Sequence, residues 1–427
     1  FNMLNDTLIV INTIANGPSE KVGILAGDRI LIVDEDTVAG VSMPSDSIVK
    51  KLRGLKGTKV TVYIQRKNVP DIIPFEIIRD NIPLYSVDVG YMITDEIGYI
   101  KISKFSKTTF DEFIASFNDL KAKGLQKLIL DLRNNGGGYM TFAVNIADQF
   151  LPGDELIVYT HGNAKGREDY KSNPGGFATD IDIAVLIDEG TASSSEILAG
   201  ALQDNDRGII IGRRSFGKGL VQEQRQFSDG SAIRLTIARY YTPTGRCIQR
   251  SYENGIDEYY NELNIRYLNG EFQNEDSIKF ADTLRYTTPE GKVVYGGGGI
   301  MPDIFVPIDT VGVTDYLLNV RNKGLIYKFA LNYSDNNRKK LEELTKPDEF
   351  TSYLKSSEVL NQFISFAKDE GISPNQQEID TSVEILETQL YAYIARNIID
   401  NKGFYPILQH IDNTLQKAIE VLSEKQN

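Results

Sequence analysis

Apolar and polar residues follow three different rhythms along this chain. Over the first eighty residues, runs such as DTLIVINTI, DRILIVDED and TKVTVYIQR are rich in β-branched residues and alternate in the manner of half-buried strands. A short helix is predicted near 44–52. Strands around a single short helix make a small β-rich module, residues 1–80. The segment NIPLYSVDVGY then reads as part of a linker, 81–97. In the middle of the chain LQKLILDLRNNGGGYMTFAVNIADQF reads as a buried strand, a glycine loop and a helix, the crossover unit of a parallel α/β core. That core spans 98–310. Beyond it the period lengthens to that of amphipathic helices, as in EFTSYLKSSEVLNQFISFAKDEG and TSVEILETQLYAYIARNIIDNKG, with stops predicted at Gly371 and Gly403. Residues 311–427 are therefore expected to be an α-helical region, and the fold class is mixed: a β module, an α/β core and helices.

Two segments of the core carry candidate chemistry. GTASSSEILAGALQD begins at Gly190 and RSFGKGLVQ at Arg214, so a serine cluster, a lysine and a glutamine occur with no histidine between them. A serine hydroxyl is a poor nucleophile until a base takes its proton. Lysine is such a base only when neutral, a form favoured where burial makes the ammonium costly. The immediate neighbours of Lys218 (Phe216, Gly217, Gly219, Leu220, Val221) include no carboxylate. Ser193 with Glu196 three residues on also fits a helix capping box, and the two readings overlap, since a helix N-terminus offers free amides to a developing oxyanion. Lys218, Leu220 and Gln222 alternate, so an extended strand would turn them to one face, where Gln222 could orient the lysine amine. The glycines flanking Lys218 equally suit a plain turn.

The remaining composition narrows the function. A formal net charge of −13 and 59 acidic against 46 basic residues argue against a nucleic-acid surface. The glycine loop lacks GxGxxG and the GK[ST] ending of phosphate-binding loops. The single cysteine, Cys247, excludes an internal disulfide and reads as a small half-buried side chain. Neither histidine lies in a metal-ligand spacing, so no metal and no cofactor is expected. No apolar run reaches the length of a membrane span, and the chain starts in what reads as mid-strand. Residues 250–288 form an acidic, tyrosine-rich insertion, read as a surface segment or a lid.

Taken in order, DLRNNGGG (131–138), TASSSEILAGALQD, FGKGLVQ, RYYTPTGRCIQ (239–249) and VYGGGGIMPDIFV (294–306) resemble the carboxy-terminal processing, or tail-specific, proteases of the serine-lysine S41 peptidase family. The resemblance implies Ser193 as nucleophile, Lys218 as general base and Gln222 as its partner, with Ser194 and Ser195 structural. It also implies an oxyanion hole of the Gly137 and Ser194 amides. The family's usual loop is RNNPGG, so Gly136 stands at the proline position. The run PSEKVGILAGDRILIVDED resembles a PDZ domain lacking its first strand and carboxylate loop, a module that holds extended peptide tails between a strand edge and a helix. Ile48 and Leu52 share one face of that helix and either line the groove or fill the core.

The implied function is a serine endopeptidase acting on proteins with apolar C-terminal tails, in the periplasm or cell envelope; homo-oligomerisation is left open. Two rivals stand beside it. One is a catalytically inactive PDZ-containing scaffold. The other is a serine-histidine hydrolase using His161 or His410, both of which read as surface residues.

Overall fold

The structure is a computed structural model and describes residues 1–424 apart from 5, 15, 68, 253–254 and 280–281. The chain forms two compact units, one of residues 1–84 with 310–411, the other of residues 85–309 with those from 412 on.

In the first unit the strands pair antiparallel in the order Asn2–Leu4, Thr7–Ile9, Arg29–Val33, Lys59–Gln65, Ile73–Ile78, with Asp36–Thr37 hydrogen-bonded to Arg29–Val33. Val60, Val62 and Ile64 lie on one face of their strand and are buried against Leu8, Val33 and Ile48 of helix Ser45–Leu52, as a period of two requires. The helices from Asp315–Asn322 to Asn401–Leu408 bury their apolar stripes on one another around Leu317, Phe329, Phe350, Phe363 and Leu390. Within this unit Asp335 is paired with Arg29 (3.5 Å) and Arg338 (3.7 Å), and Arg338 donates to the Ala26 carbonyl (2.5 Å). The stop expected at Gly403 falls three residues earlier. Helix Gln376–Ile399 ends at Asp400, whose φ is 56°, and Gly403 sits inside the next helix. A Cβ on Gly403 would lie 2.9 Å from the Ala395 Cβ and 2.7 Å from the Ile399 side chain, so this glycine permits close approach at the break. Among the described residues no helix is long and apolar enough to cross a membrane.

The second unit is built on a six-stranded sheet in the order Ile304–Phe305, Ile209–Gly212, Asp182–Ile187, Lys127–Asp131, Ile97–Ile102, Val87–Met92. All neighbours are parallel except the last pair. Lys127–Asp131 is buried at every residue because strands lie on both sides of it and helices cover the sheet. The strand Val87–Met92 falls in the stretch read as linker: it joins the sheet edge as an antiparallel partner of Ile97–Ile102. The helical tail also divides, since its last helix, Asn413–Glu424, packs on the central strands of this sheet. A smaller antiparallel sheet runs Glu168–Lys171, Leu156–His161, Ala232–Tyr241, Leu220–Gln226.

This topology sets out the candidate site. The glycine loop leaves the C-terminal end of Lys127–Asp131, the serine cluster that of Asp182–Ile187, and the lysine loop that of Ile209–Gly212. Three adjacent parallel strands thus open their loops at one edge, the place where open α/β sheets bind ligands.

Candidate active site

Ser193 sits at the start of helix Ser194–Asp204 with φ 59° and ψ −118°, a strained backbone for a side-chain-bearing residue. Ser193 and Glu196 form the capping box that their spacing suggests. The Ser193 amide donates to Glu196 Oε2 (2.8 Å).

Glu196 does more than cap. It is fully buried, and its carboxylate accepts four donors: the amides of Ser193 (2.8 Å), Gly217 (2.7 Å) and Lys218 (2.9 Å) and the Ser215 hydroxyl (2.5 Å). Burial pushes Glu196 above its ordinary range, against the pull of these donors. The buried Tyr240 hydroxyl makes a second tie, lying 2.6 Å from the Lys218 carbonyl and 3.1 Å from that of Ser193. Ser193 and Lys218 are therefore brought side by side through shared backbone anchors, although the sequence between them spans a helix and a strand. No direct hydrogen bond joins their side chains here. Glu196 supplies the lysine loop with a carboxylate that its own neighbours lack, but spends it on backbone amides; among the described residues no acidic side chain pairs with the Lys218 amine.

The glycine loop is sewn to the serine turn by Asn135, which is fully buried. Its carbonyl accepts from the Ala192 amide (2.9 Å) and the Ser195 hydroxyl (2.9 Å), and its side chain donates to Ile102 O (2.9 Å). The Ser194 hydroxyl donates to Gly138 O (2.9 Å). A Cβ on Gly137 would stand 2.7 Å from Ser193 Cβ and 2.9 Å from the Ser194 nitrogen, and one on Gly138 2.0 Å from Phe105 O. These glycines exist so that the loop can touch the serine turn and the strand behind it. One expectation changes: the Gly137 amide is turned onto Asn135 Oδ1 (2.9 Å), so it does not point at a reacting oxygen. Among the described residues the amides of Ser194 and Gly138 have no protein acceptor.

Among the described residues no hydrogen bond joins Gln222 to the Lys218 side chain. Gln222 is exposed on strand Leu220–Gln226, and the register shift beside Val221 and Gln222 skips Ile237 of the opposing strand, so the alternation along Leu220–Gln226 itself continues. The glutamine beside the lysine loop is Gln249, whose Oε1 accepts from the Gly219 amide (2.8 Å) and whose Nε2 donates to Arg250 O (2.8 Å). A Cβ on Gly219 would meet the Gln249 nitrogen at 2.9 Å, so this glycine also serves close approach. His161 is exposed at the end of its strand opposite Arg239, and His410 lies in the first unit; neither bonds a serine of the cluster.

In the first unit a cavity of about 490 Å³ lies between residues 10–14 and the helix Ser45–Leu52, lined by Val10, Ile14, Ile24, Val49, Leu52 and Val62 among others. Ile48, by contrast, is fully buried in the core of the unit and faces no groove.

Residues 96–259 match the family described as Peptidase family S41, residues 1–73 the PDZ domain and residues 316–400 a family of unknown function. A carboxy-terminal-processing protease of Bartonella bacilliformis is 36% identical over 256 residues, 58% of this chain and 57% of that protein. A carboxyl-terminal-processing protease of Synechocystis sp. is 37% identical over 247 residues, 57% of this chain and 56% of that protein. A solved photosystem II D1 C-terminal processing protease is 26% identical, covering 72% of this chain and 70% of its own, with a TM-score of 0.38. The chain spans little more than half the length of the curated relatives it matches. It carries an S41 peptidase domain and a PDZ domain.

Proposed function

We propose that this chain is a serine endopeptidase that cuts protein substrates at or near their C-terminal tails, with Ser193 as nucleophile and Lys218 as general base. The observation that carries this reading is the double tie of Ser193 and Lys218 through Glu196 and Tyr240, at a serine with a strained backbone.

In this mechanism neutral Lys218 takes the Ser193 proton as Oγ attacks the peptide carbonyl. The oxyanion is received by the Ser194 amide and by the glycine loop, where the unpaired Gly138 amide stands next to the Gly137 amide that Asn135 occupies. Lys218 then protonates the leaving amine, and the same residue activates the water that releases the acyl-enzyme. The PDZ module selects the tail. Its cavity is walled mainly by aliphatic side chains, which suits an extended apolar peptide. Placement in the cell envelope follows from the family resemblance of the motifs.

The deciding experiment incubates an unfolded protein with an apolar tail and follows its intact mass. Wild type should shorten it, and Ser193→Ala should lower turnover on the order of 10⁴-fold or more. Lys218→Arg should also be inactive, because guanidinium keeps its proton at any usable pH. Cleavage by Ser193→Ala at the wild-type rate would reject the nucleophile, and a wild type that binds the tail without cutting it would make the chain a scaffold.

A further inference from the structure

We propose that the 250–288 insertion is a clamp that positions the lysine loop, with Arg266, Arg250 and Tyr259 as its positioning residues. The inference rests on the reading of Lys218 as general base and assigns the insertion a task within that site.

Helix Ile256–Leu268 of the insertion is docked against the lysine loop. It places Arg266 at 2% exposure, directly behind the residues that precede Lys218. The Arg266 guanidinium donates to the carbonyls of Ser215 (3.0 Å) and Arg214 (2.7 Å) and to Glu271 Oε2 (3.1 Å). Burial and the neighbouring Arg214 push this guanidinium down to about 10, while Glu271 and Glu262 pull it back up. It therefore stays charged at neutral pH and keeps both carbonyls. Glu271 also binds Arg214 (2.7 Å), whose other nitrogen donates to Gly298 O (2.9 Å).

Ser215 passes this grip forward. Its carbonyl is held by Arg266, while its hydroxyl donates to Glu196 Oε1 (2.5 Å) and accepts from the Ile300 amide (2.6 Å). Glu196 in turn holds the amides of Lys218 and Ser193. The path from Arg266 to the reacting pair thus runs through two side chains, each fixed by hydrogen bonds at both ends.

The second grip is on Phe216. The Arg250 guanidinium lies between the Phe216 ring (3.8 Å) and the Tyr259 ring (4.0 Å), Tyr259 meets Phe216 edge-on, and Tyr252 stacks on Tyr259 at 4.1 Å. Arg250 is further paired with Glu262 of the insertion's helix and donates its amide to Gly217 O (3.1 Å). A guanidinium held between two rings is favourable when shielded from water, and here it fixes the two residues immediately before Lys218. Gly217 itself has φ 87°, a conformation that glycine adopts without strain.

The test measures kcat, KM, thermal unfolding and the rate at which a fluorophosphonate phosphonylates Ser193 with loss of fluoride, on the full chain. The variants are Tyr259→Leu, Tyr259→Phe and Arg266→Gln, with Ser193→Ala as a separate arm. Tyr259→Leu and Arg266→Gln should each lower kcat and the phosphonylation rate about 10- to 100-fold with KM unchanged, the loss expected when catalytic groups shift by about 1 Å. Tyr259→Phe, which keeps the ring, should restore the wild-type values. Should Arg266→Gln fail to fold, the Tyr259 pair decides. Wild-type kcat in folded Tyr259→Leu, or a raised KM with kcat intact, overturns the clamp; the second result would make the insertion a substrate contact. Activity surviving in Ser193→Ala overturns the underlying serine reading, whereas a dead Ser193→Ala beside fully active clamp variants overturns the clamp alone.

Discussion

Asp131 opens the glycine-loop motif and offers the cleanest energetic test of how the site is held. Its carboxylate is fully buried and receives the Tyr99 hydroxyl at 2.6 Å and Arg133 Nη2 at 2.7 Å, with Lys101 Nζ 3.4 Å away. Burial by itself raises the carboxyl, but Arg133, Lys101 and the Tyr99 hydroxyl together hold it well below the ordinary carboxylate range. Asp131→Asn removes the charge and leaves its cations facing an amide. Losing one partner of a buried ion pair costs ~3–5 kcal/mol. Arg133 keeps Asp412 as a bidentate partner (2.8 and 2.7 Å), so the lower end applies, about 3 kcal/mol. For a unit of this size each kcal/mol shifts Tm by roughly 2–4 °C, which gives a fall of about 6–12 °C in the transition of the S41 unit. The pH dependence has a fixed sign. A carboxyl lowered in the folded state binds more protons when unfolded, so its contribution is present above the ordinary carboxylate pKa and fades as pH drops through the folded value. The gap between wild type and Asp131→Asn should be constant near neutrality and should narrow below about pH 4. Calorimetry of both proteins across that range reads it directly. A neutral-pH Tm difference under about 2 °C, or a gap that widens in acid, would refute the reasoning.

Glu196→Gln presents an amide NH₂ to donors that the carboxylate now accepts, so the lysine loop and the serine turn should part. We expect kcat to fall on the order of 10²-fold with KM little changed, and full activity in this variant would show that the shared carboxylate does not position the pair. In the PDZ module, Ile48→Ala should cost ~2–5 kcal/mol, read in the unfolding transition of the first unit, because its side chain is pure core. Leu52→Asp should instead weaken binding of an apolar-tailed peptide, measured by calorimetric titration, with a smaller loss of stability; the opposite pattern would move the groove elsewhere.

Much of the architecture was legible because its signals are local. LILDL announces a strand buried on both faces, and the long helical periods of 376–399 announce a helix whatever it packs on. What escaped was decided by partners distant in sequence. VDVGYM reads as linker because a glycine and an aspartate interrupt it, yet it becomes a strand when the edge of Ile97–Ile102 offers hydrogen bonds. A bulge depends on how two strands pair, so the sequence could not disclose that Ile237 would be skipped opposite Val221 and Gln222. Glu196 was visible, but only in its lesser role. The pattern S-x-x-E looks the same whether the carboxylate serves its own helix or reaches the loop at 215–218. Gln249 and Tyr240 lie in a motif that points to the family and carries no local hint of the loops they hold.

The glycine loop shows why motif and mechanism have to be argued separately. Read as a string, GGG at a helix start admits a phosphate cradle, which uses glycine to turn backbone amides toward an anion. Here Gly137 and Gly138 answer a different demand: any side chain on them would collide with the Ser193 turn or with Phe105. Gly136 differs, for a Cβ there would meet nothing within 4 Å. The position at which the family usually carries proline is therefore open space, and its replacement by glycine leaves the contacts of the next two residues as they are. What proline would add is restriction of the unfolded chain rather than a contact. The departure from the family's pattern thus falls at the one residue of the three whose side chain neither the serine turn nor Phe105 excludes.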